Sequence, residues 1–201
     1  MRKLFTCLVA MTMIAGAATA QIIDIDDIQY YDPIDGSPAS PYDGQQVTIL
    51  ATIYVTPGTY NSGTHHVQGA TGGINFFDNS GTGLMIGDEI EITGTVGTFG
   101  GEITLNSASW GSVTPGDEPT PIDVTPSGIF GAVEPYEWVG NFVAVTGEIA
   151  TVDGNAFEMT DIGGGTDVLY VYVDGDTGID LSGMQVGDEY KVLGPLVNYN
   201  G

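Results

Sequence analysis

Two blocks of this sequence occur twice, at nearly the same spacing. The segment GQQVTILATI at 44–53 returns as GNFVAVTGEI at 140–149, an offset of 96 residues (140 − 44). The segment IGDEIEITG at 86–94 returns as VGDEYKVLG at 186–194, an offset of 100 residues (186 − 86). Two separated blocks at nearly one offset predict a duplicated structural module, with only small insertions between the blocks.

The repeated blocks have the alternation of β-strands. Apolar residues occupy every second position through 47–55, positions 90, 92 and 96, and positions 103 and 105, which is the period of a strand with one buried face. Residues 65–68 and 74–77 flank a glycine-rich turn, which predicts a hairpin. Each copy predicts a long strand, a hairpin and a strand introduced by Gly-Asp. Only the first copy continues into a fifth strand.

Prolines mark the boundary between the two copies. Three of the nine residues at 113–121 are proline, which disfavours helix and central strand and predicts an exposed linker. We therefore predict a first domain at 21–112 that begins with a lead-in strand. A Pro-rich linker at 113–121 and a second domain at 122–201 follow, and residues 126–130 are predicted to form one helical turn.

The residues that define both copies resemble the OB-fold modules of secreted bacterial proteins. The resemblance is carried by 40–48, 70–74 and 86–94 in the first copy and by 136–143 and 186–190 in the second. Such modules often stand beside extracellular nuclease, phosphatase or cell-surface domains. The resemblance implies an all-β fold of two tandem OB-fold-like five-stranded barrels. It implies no particular activity, because OB barrels host many unrelated functions.

The second copy departs from this family pattern. OB modules place their fifth strand between the third and the fourth, which closes the barrel. The sequence ends at Gly201, where that strand begins in the first copy, so we predict that the second barrel lacks its closing strand. One interpretation is that the chain is a fragment, and that about 15 further residues would supply a strand resembling 102–106. The alternative is an open barrel that a partner strand completes.

The first twenty residues predict a secretory signal peptide. Arg2 and Lys3 precede a short apolar stretch, and small residues at 18–20 suit cleavage before Gln21. The stretch is shorter than the roughly 20 residues of a membrane span. Cys7 lies within the signal, so the mature chain is predicted to hold no thiol. We expect a secreted, extracellular or cell-surface protein, with the periplasm as the alternative.

Charge decides against nucleic acid as a ligand. After residue 20, Lys191 is the only Lys or Arg against 26 Asp and Glu residues, whereas single-strand binders need a cationic groove beside aromatic platforms. Aromatic candidates for a ligand site are Phe77, Tyr170 and Tyr172. We expect the two tyrosines, which share one strand face, to cover an interdomain or lead-in contact instead.

The sequence predicts no metal site and no cofactor. Asp174, Asp176 and Asp180 have a spacing that suits Ca²⁺, but the loop lacks the third acidic position and the terminal Glu of an EF-hand. An ordinary acidic turn is the prediction and Ca²⁺ the alternative. His65 and His66 point to opposite faces of one strand, so we expect a solvated hairpin there and no shared ion.

No catalytic constellation is recognisable. Both histidines lie in one hairpin, and neither a nucleophile elbow nor a basic phosphate-binding loop is present. We expect Trp110 and Trp138 to pack as core. The predicted function is a non-catalytic spacer, adhesion or accessory-binding segment of a larger exported protein. The alternatives are the substrate-presenting part of a secreted nuclease or phosphatase whose catalytic domain lies beyond residue 201, and a carbohydrate-binding module.

Overall fold

The computed structural model describes residues 21–34, 36–56, 59, 63–78, 83–131 and 136–198. The predicted signal peptide at 1–20 and the last three residues lie outside these ranges. In chain order the elements are α1 (Ile25–Ile28), β1 (Gln46–Val55), β2 (Thr64–Gln68), β3 (Gly73–Phe77), β4 (Glu89–Phe99), β5 (Glu102–Thr114), β6 (Ile122–Val124), α2 (Pro126–Phe130), β7 (Phe142–Asp153), β8 (Ala156–Thr160), β9 (Leu169–Tyr172), a 3₁₀ turn (Gly175–Thr177) and β10 (Glu189–Pro195). The all-β fold class is confirmed.

The first five strands pair in a closed ring. The order is β1-β2-β3-β5-β4, and β4 returns to pair with β1. All pairings are antiparallel except that of β3 with β5. The inward side chains that are fully buried include six positions of the predicted alternation and two of the predicted hairpin: Ile49, Ile53, Ile90, Ile92, Ile103 and Leu105, with Ile74 and Phe76. We call this ring, with α1, the first module.

The remaining strands form a second, open sheet. Its order is β10-β7-β8-β9, and β6 runs parallel to the start of β7. Within the described ranges no strand pairs with the outer edge of β9 or of β10. We call this sheet, with α2, the second module.

The long strand pairings of the two modules share one register. Thr52 pairs with Glu89 in the first module, and Glu148 pairs with Glu189 in the second. The shifts between these pairs, 96 residues on one strand and 100 on the other, equal the offsets of the repeated sequence blocks. Corresponding residues of the repeated blocks are therefore paired in the same way within each of the two sheets.

The bulges and hairpins correspond as well. The register shifts next to Tyr54 in β1 and, at the equivalent place in β7, next to Ala150. Counting along the hairpins from these bulges places Tyr172 of β9 where Phe77 stands at the end of β3. The described strands of the second module therefore repeat the pairings of β1 with β2, β2 with β3 and β1 with β4.

The lead-in of the first domain pairs with β1 at one position only, where a strand was predicted. Ile22 makes a single bridge to Thr48, and residues 25–28 form a helical turn instead of a strand. The helix forms because its apolar residues, Ile25 and Ile28, enter the core, while Thr71 Oγ1 accepts a hydrogen bond from the Ile25 amide at 3.1 Å.

The start of the second module follows a related plan. The helical turn predicted at 126–130 is present as α2, and Asp161 Oδ1 accepts a hydrogen bond from the Ser127 amide at 3.1 Å. In both modules a side chain from the hairpin turn therefore holds the helix start. The preceding linker is shorter than predicted, because β5 continues to Thr114 in its pairing with β4.

The two modules are joined through the bulge of β1. The Tyr54 hydroxyl donates to the Gly140 carbonyl at 2.7 Å, and its ring stacks on Phe142 with centroids 4.7 Å apart. The Gln68 side chain accepts from the Phe142 amide and donates to Asn141 Oδ1, both at 2.9 Å. We call these five residues the junction.

Candidate functional site

The second module exposes two strand edges that are covered in the first. In the first module, β5 lies between β3 and β4 and pairs with both. The equivalent strands of the second module, β9 and β10, have no described strand between them. Within the described ranges their outward N–H and C=O groups therefore have no strand partner, and such an uncovered edge is able to pair with a further strand. We call the outer edges of β9 and β10 the open edge.

The apolar side chains beside the open edge are only partly covered. Ile90 of β4 is fully buried, whereas Tyr190 at the same register position of β10 is 38% exposed. Phe76 of β3 is also fully buried, and its counterpart Val171 of β9 is only partly buried. The second module therefore has a core that one further strand would seal.

A glycine shows how the first module admits its fifth strand. A Cβ on Gly94 of β4 would lie 2.9 Å from the Cβ of Leu105 in β5, which is closer than real Cβ contacts. Glycine at 94 thus makes room for an inward leucine of the inserted strand. The same register position of β10 is Gly194, because Gly94 pairs with Val47 and Gly194 with Val143.

The three aromatic ligand candidates are exposed on the outer surface. Tyr170 is 64% exposed, Tyr172 is 56% exposed and Phe77 is 45% exposed. The expectation that the two tyrosines cover an interdomain contact was wrong. The alternation of β9 turns Val171 and Val173 toward the core and both tyrosines away from it. The interdomain contact is made by the junction.

The acidic loop after β9 forms ordinary turns. Asp174 Oδ1 accepts from the Asp176 amide at 2.9 Å, and Asp180 Oδ1 accepts from the Ser182 amide at 2.9 Å. The Ser182 backbone bond is the main cause of a lowered pKa at the exposed Asp180. Across the described residues, no three His, Cys, Asp or Glu side chains, these aspartates included, form a group suited to a metal ion.

The histidine pair is buried, which corrects the prediction of a solvated hairpin. His65 is fully buried and stacks on Phe76 with centroids 4.4 Å apart, with Trp110 at 6.3 Å. Within the described ranges, the buried ring of His65 lacks a hydrogen bond of ordinary geometry, although the nearby Gly63 backbone opposes the effect of burial on the pKa of His65. Burial lowers the pKa of His65, and burial lowers that of His66 to about 4. Both faces of β2 are covered, by the barrel core and by the Tyr54 ring.

A buried carboxyl group in the first module gave no signal in the sequence. The Glu102 side chain at the start of β5 accepts a hydrogen bond from Asn75 Nδ2 at 3.1 Å. Burial raises the pKa of Glu102 to about 7, and the Asn75 bond opposes this. Nearby, the Tyr31 hydroxyl accepts from the Ile103 amide at 3.1 Å, and burial raises the pKa of Tyr31. A glutamate at the start of a strand is ordinarily solvated. The burial of Glu102 therefore follows only from the side chains that the fold places around it.

Both tryptophans pack against a core, as predicted. Trp110 covers the first module's core beside Phe76, and Trp138 covers a smaller cluster around Ile129 and Val143. They are therefore not free to stack on a ligand.

The chain offers an anionic ligand almost no cationic side chain after residue 20. Lys191 Nζ lies 2.5 Å from Asp123 Oδ1, and both side chains are largely exposed. The one cation after residue 20 is thus already paired with a carboxylate of the same module. An anionic ligand would face carboxylates almost everywhere else.

Comparisons with known proteins add no identification. No protein-family model matches the chain, and no curated protein matches its sequence. In the part of the chain that the structure describes, no helix is long and apolar enough to span a membrane.

Proposed function

We propose that the chain is a tandem pair of OB-like modules that serves as a non-catalytic binding segment of an exported protein. Two observations support the fold. The β5 strand lies between β3 and β4, as the OB resemblance implies, and closes a five-stranded barrel. The strand registers of the second module also repeat those of the first at the sequence offsets, which supports a tandem duplication.

One observation carries the functional part of the proposal, namely the open edge. A sheet edge with uncovered backbone groups and partly covered apolar side chains is a template for pairing with a further strand, and we propose that such pairing is how this segment binds. The first module has the same register but is sealed. It holds the second in place through the junction, so the segment presents a fixed binding surface.

The same geometry argues against catalysis and nucleic-acid binding. Histidine, the usual general base, occurs only at positions 65 and 66, and both side chains are buried. Lys191 is the single cation after residue 20 and is engaged by Asp123. Phosphate contacts, which supply most nucleic-acid affinity, therefore have no donor set.

Sealing the open edge tests the proposal. A variant carries a copy of residues 102–114 fused after Gly201, and a control carries the same copy with aspartate at the positions of Ile103 and Leu105. The purified protein and both variants are screened against a displayed peptide library. We expect the protein and the control to select peptides and the sealed variant to select none. Absence of peptides for the unsealed protein, or equal selection by all three, would show the proposal to be wrong.

Carbohydrate binding is a second candidate, favoured by the exposure of Tyr170 and Tyr172. These rings stand on one face of β9, where they could stack on sugar rings. A glycan array run with and without Ca²⁺ tests this candidate against a Tyr170→Ala, Tyr172→Ala double variant. Loss of array signals in the double variant would support it, and a lack of signal with the unaltered protein would contradict it.

Export rests on the first twenty residues. A charged start, an apolar stretch and small residues before Gln21 are typical of a cleaved signal. We expect N-terminal sequencing of protein recovered outside the cytoplasm to begin at Gln21. Recovery only from the cytoplasm with Met1 retained would contradict export.

A further inference from the structure

We propose that protonation of Glu102 controls a second contact between the two modules, which is made by the lead-in of the first module. This contact is separate from the junction and from the open edge, so the inference goes beyond the proposed function. Tyr31, which follows α1 in the chain, forms an isolated bridge with Pro38 that closes a turn. We call residues 31–34 and 36–38 the lead-in turn.

The lead-in turn lies between the two modules. Tyr31 is buried in the core cluster of the first module, and its ring stacks on that of Tyr136, which precedes β7, with centroids 5.6 Å apart. A Cβ at Gly36 would collide with the Tyr136 hydroxyl. The Asn198 side chain, which follows β10, donates to the Gly36 carbonyl at 3.1 Å. Two separate parts of the second half of the chain therefore rest on this turn.

Glu102 lies beside the side chain that anchors the lead-in turn. The Tyr31 hydroxyl accepts a hydrogen bond from the amide of Ile103, the residue after Glu102. Asn75 Nδ2 donates to Glu102 Oε2 at 3.1 Å, whereas Glu102 Oε1 is enclosed without a hydrogen-bond partner among the described residues. A buried charge is strongly disfavoured unless it is paired and well hydrogen-bonded. The site therefore suits a neutral carboxyl group better than a carboxylate.

No cation balances an ionised Glu102. Lys191 is the only Lys or Arg after residue 20, and it is paired within the second module. The groups that face Glu102 are Tyr31 from the lead-in turn, Asn75 from β3 and Phe99, its pairing partner in β4. Tyr31 is the titratable one, and burial raises its pKa, with a further rise from the charge of Glu102. Tyr31 therefore stays a neutral phenol and cannot compensate the carboxylate.

Ionisation of Glu102 should therefore release the lead-in turn. A carboxylate at this position gains by meeting water, and water reaches Oε1 only when the groups that enclose it give way. Burial raises the pKa of Glu102 to about 7, so the closed contact is complete below the ordinary value of 4.5 and is lost as pH rises through about 7. Such a change lowers the ratio of closed to open contact on the order of a hundredfold.

Hydrogen exchange at two backbone amides of the full protein tests the inference. The Ile103 amide is bonded to the Tyr31 hydroxyl, and the Val139 amide is bonded to the Tyr136 carbonyl at 3.1 Å. We expect the protection factors of both amides to fall by about tenfold or more from pH 5 to pH 8. Exchange that does not change in low urea would show that the opening is local, because global unfolding depends on denaturant.

Matched variants separate the causes. Glu102→Gln keeps an acceptor for Asn75 without a charge, so the response of both amides to pH should disappear. Glu91→Gln neutralises an exposed carboxylate of β4 in the same barrel and should keep the response. Tyr136→Ala removes the stack on Tyr31, so Ile103 should still respond and Val139 should not. Unfolding curves confirm that the variants are folded. In the unaltered protein, the carboxyl carbon shift of Glu102 should titrate with the same midpoint as the two amides.

The possible failures are distinguishable. Equal protection of Ile103 at both pH values, or an unchanged response in Glu102→Gln, would show the inference to be wrong. A response of Ile103 without one of Val139 would mean that Glu102 controls the lead-in turn but not the contact between the modules, which also overturns it. None of these results affects the peptide screen of the open edge, so the proposed function and this inference fail separately.

Discussion

The first module encloses its core with five strands, whereas the second turns the same strand pattern into an open sheet. Most buried apolar residues of the first module form one large cluster that includes Ile90, Ile92 and Leu105. Those of the second divide into two smaller clusters, one around Phe157 and one around Val145. Because the registers agree, the difference lies in the inserted strand. A shared pairing register is therefore insufficient for a sealed core.

The modules also differ in the residues that face each other at the junction. Tyr54 and Gln68 of the first module provide the ring and the side-chain amide. Their counterparts by register in the second module are Ala150 and Thr160, which offer neither group. The copies therefore differ in the side chains that they bring to the junction.

Equivalent truncations in the two cores give the largest expected difference. Ile92→Ala should lower the free energy of unfolding by about 2–5 kcal/mol, because Ile92 is fully buried. Val192→Ala at the same register position should cost less than about 1 kcal/mol, because Val192 is only partly buried. Urea unfolding checks both. Ile92→Ala removes one methylene more than Val192→Ala, which accounts for roughly 0.8 kcal/mol. If the two losses in the free energy of unfolding differ by no more than this, the two cores are equally sealed and the prediction is wrong.

Much of the first module was predictable because its signals are local. Alternation identified the inward residues of β1 and β4, and glycine-rich turns located the hairpin of β2 and β3. The lead-in at 23–28 forms a helical turn where a strand was predicted, because an alternating apolar pattern of only a few residues also fits one helical turn. Contacts with Thr71 and the core decide between the two.

The site was harder to predict because its elements depend on long-range contacts. Comparison of the copies predicted that no strand lies between β9 and β10, as holds for the described residues, whereas the close approach of Gly94 to Leu105 gave no signal in the sequence. Burial of His65 depends on Phe76 and Trp110, which lie in other strands. The outward direction of Tyr170 depends on the register of β9. Composition alone indicates none of these contacts.

The pH dependence of stability should come mainly from the first module, through Glu102. Its raised pKa means that its contribution is complete below its ordinary value of 4.5 and is lost as pH rises through about 7. Glu102→Gln keeps an acceptor for Asn75 and removes the buried charge. We expect this variant to be more stable at pH 8 by on the order of 1–3 kcal/mol and unchanged at pH 4. Urea unfolding across pH checks this, and equal stabilisation at both pH values would contradict it.

The junction glycine should matter more than its counterpart in the first module. Gly44 and Gly140 both have positive φ, +72° and +83°, so alanine at either is strained by about 1–2 kcal/mol. A Cβ at Gly140 would also lie 2.2 Å from the Gly73 carbonyl oxygen, whereas one at Gly44 would meet nothing within 4 Å. We expect Gly140→Ala alone to separate the modules, seen as a larger radius of gyration in solution scattering. The same radius for both variants would contradict a tight junction.

The smallest effect should come from exchanging a core residue for its counterpart. Register places Phe157 of the second module where His65 stands in the first, and both are buried. His65→Phe should keep the stack on Phe76 and remove an imidazole whose burial the Gly63 backbone only partly compensates. We expect the variant to be about 1 kcal/mol more stable at neutral pH. Burial lowers the pKa of His65, so the stability of its neutral form is present above 6.5 and is lost as pH falls. The gain should therefore widen toward pH 5, and thermal unfolding at both pH values measures it. A destabilised variant would mean that the histidine pocket of the first module is too small for the phenylalanine that the second module accepts.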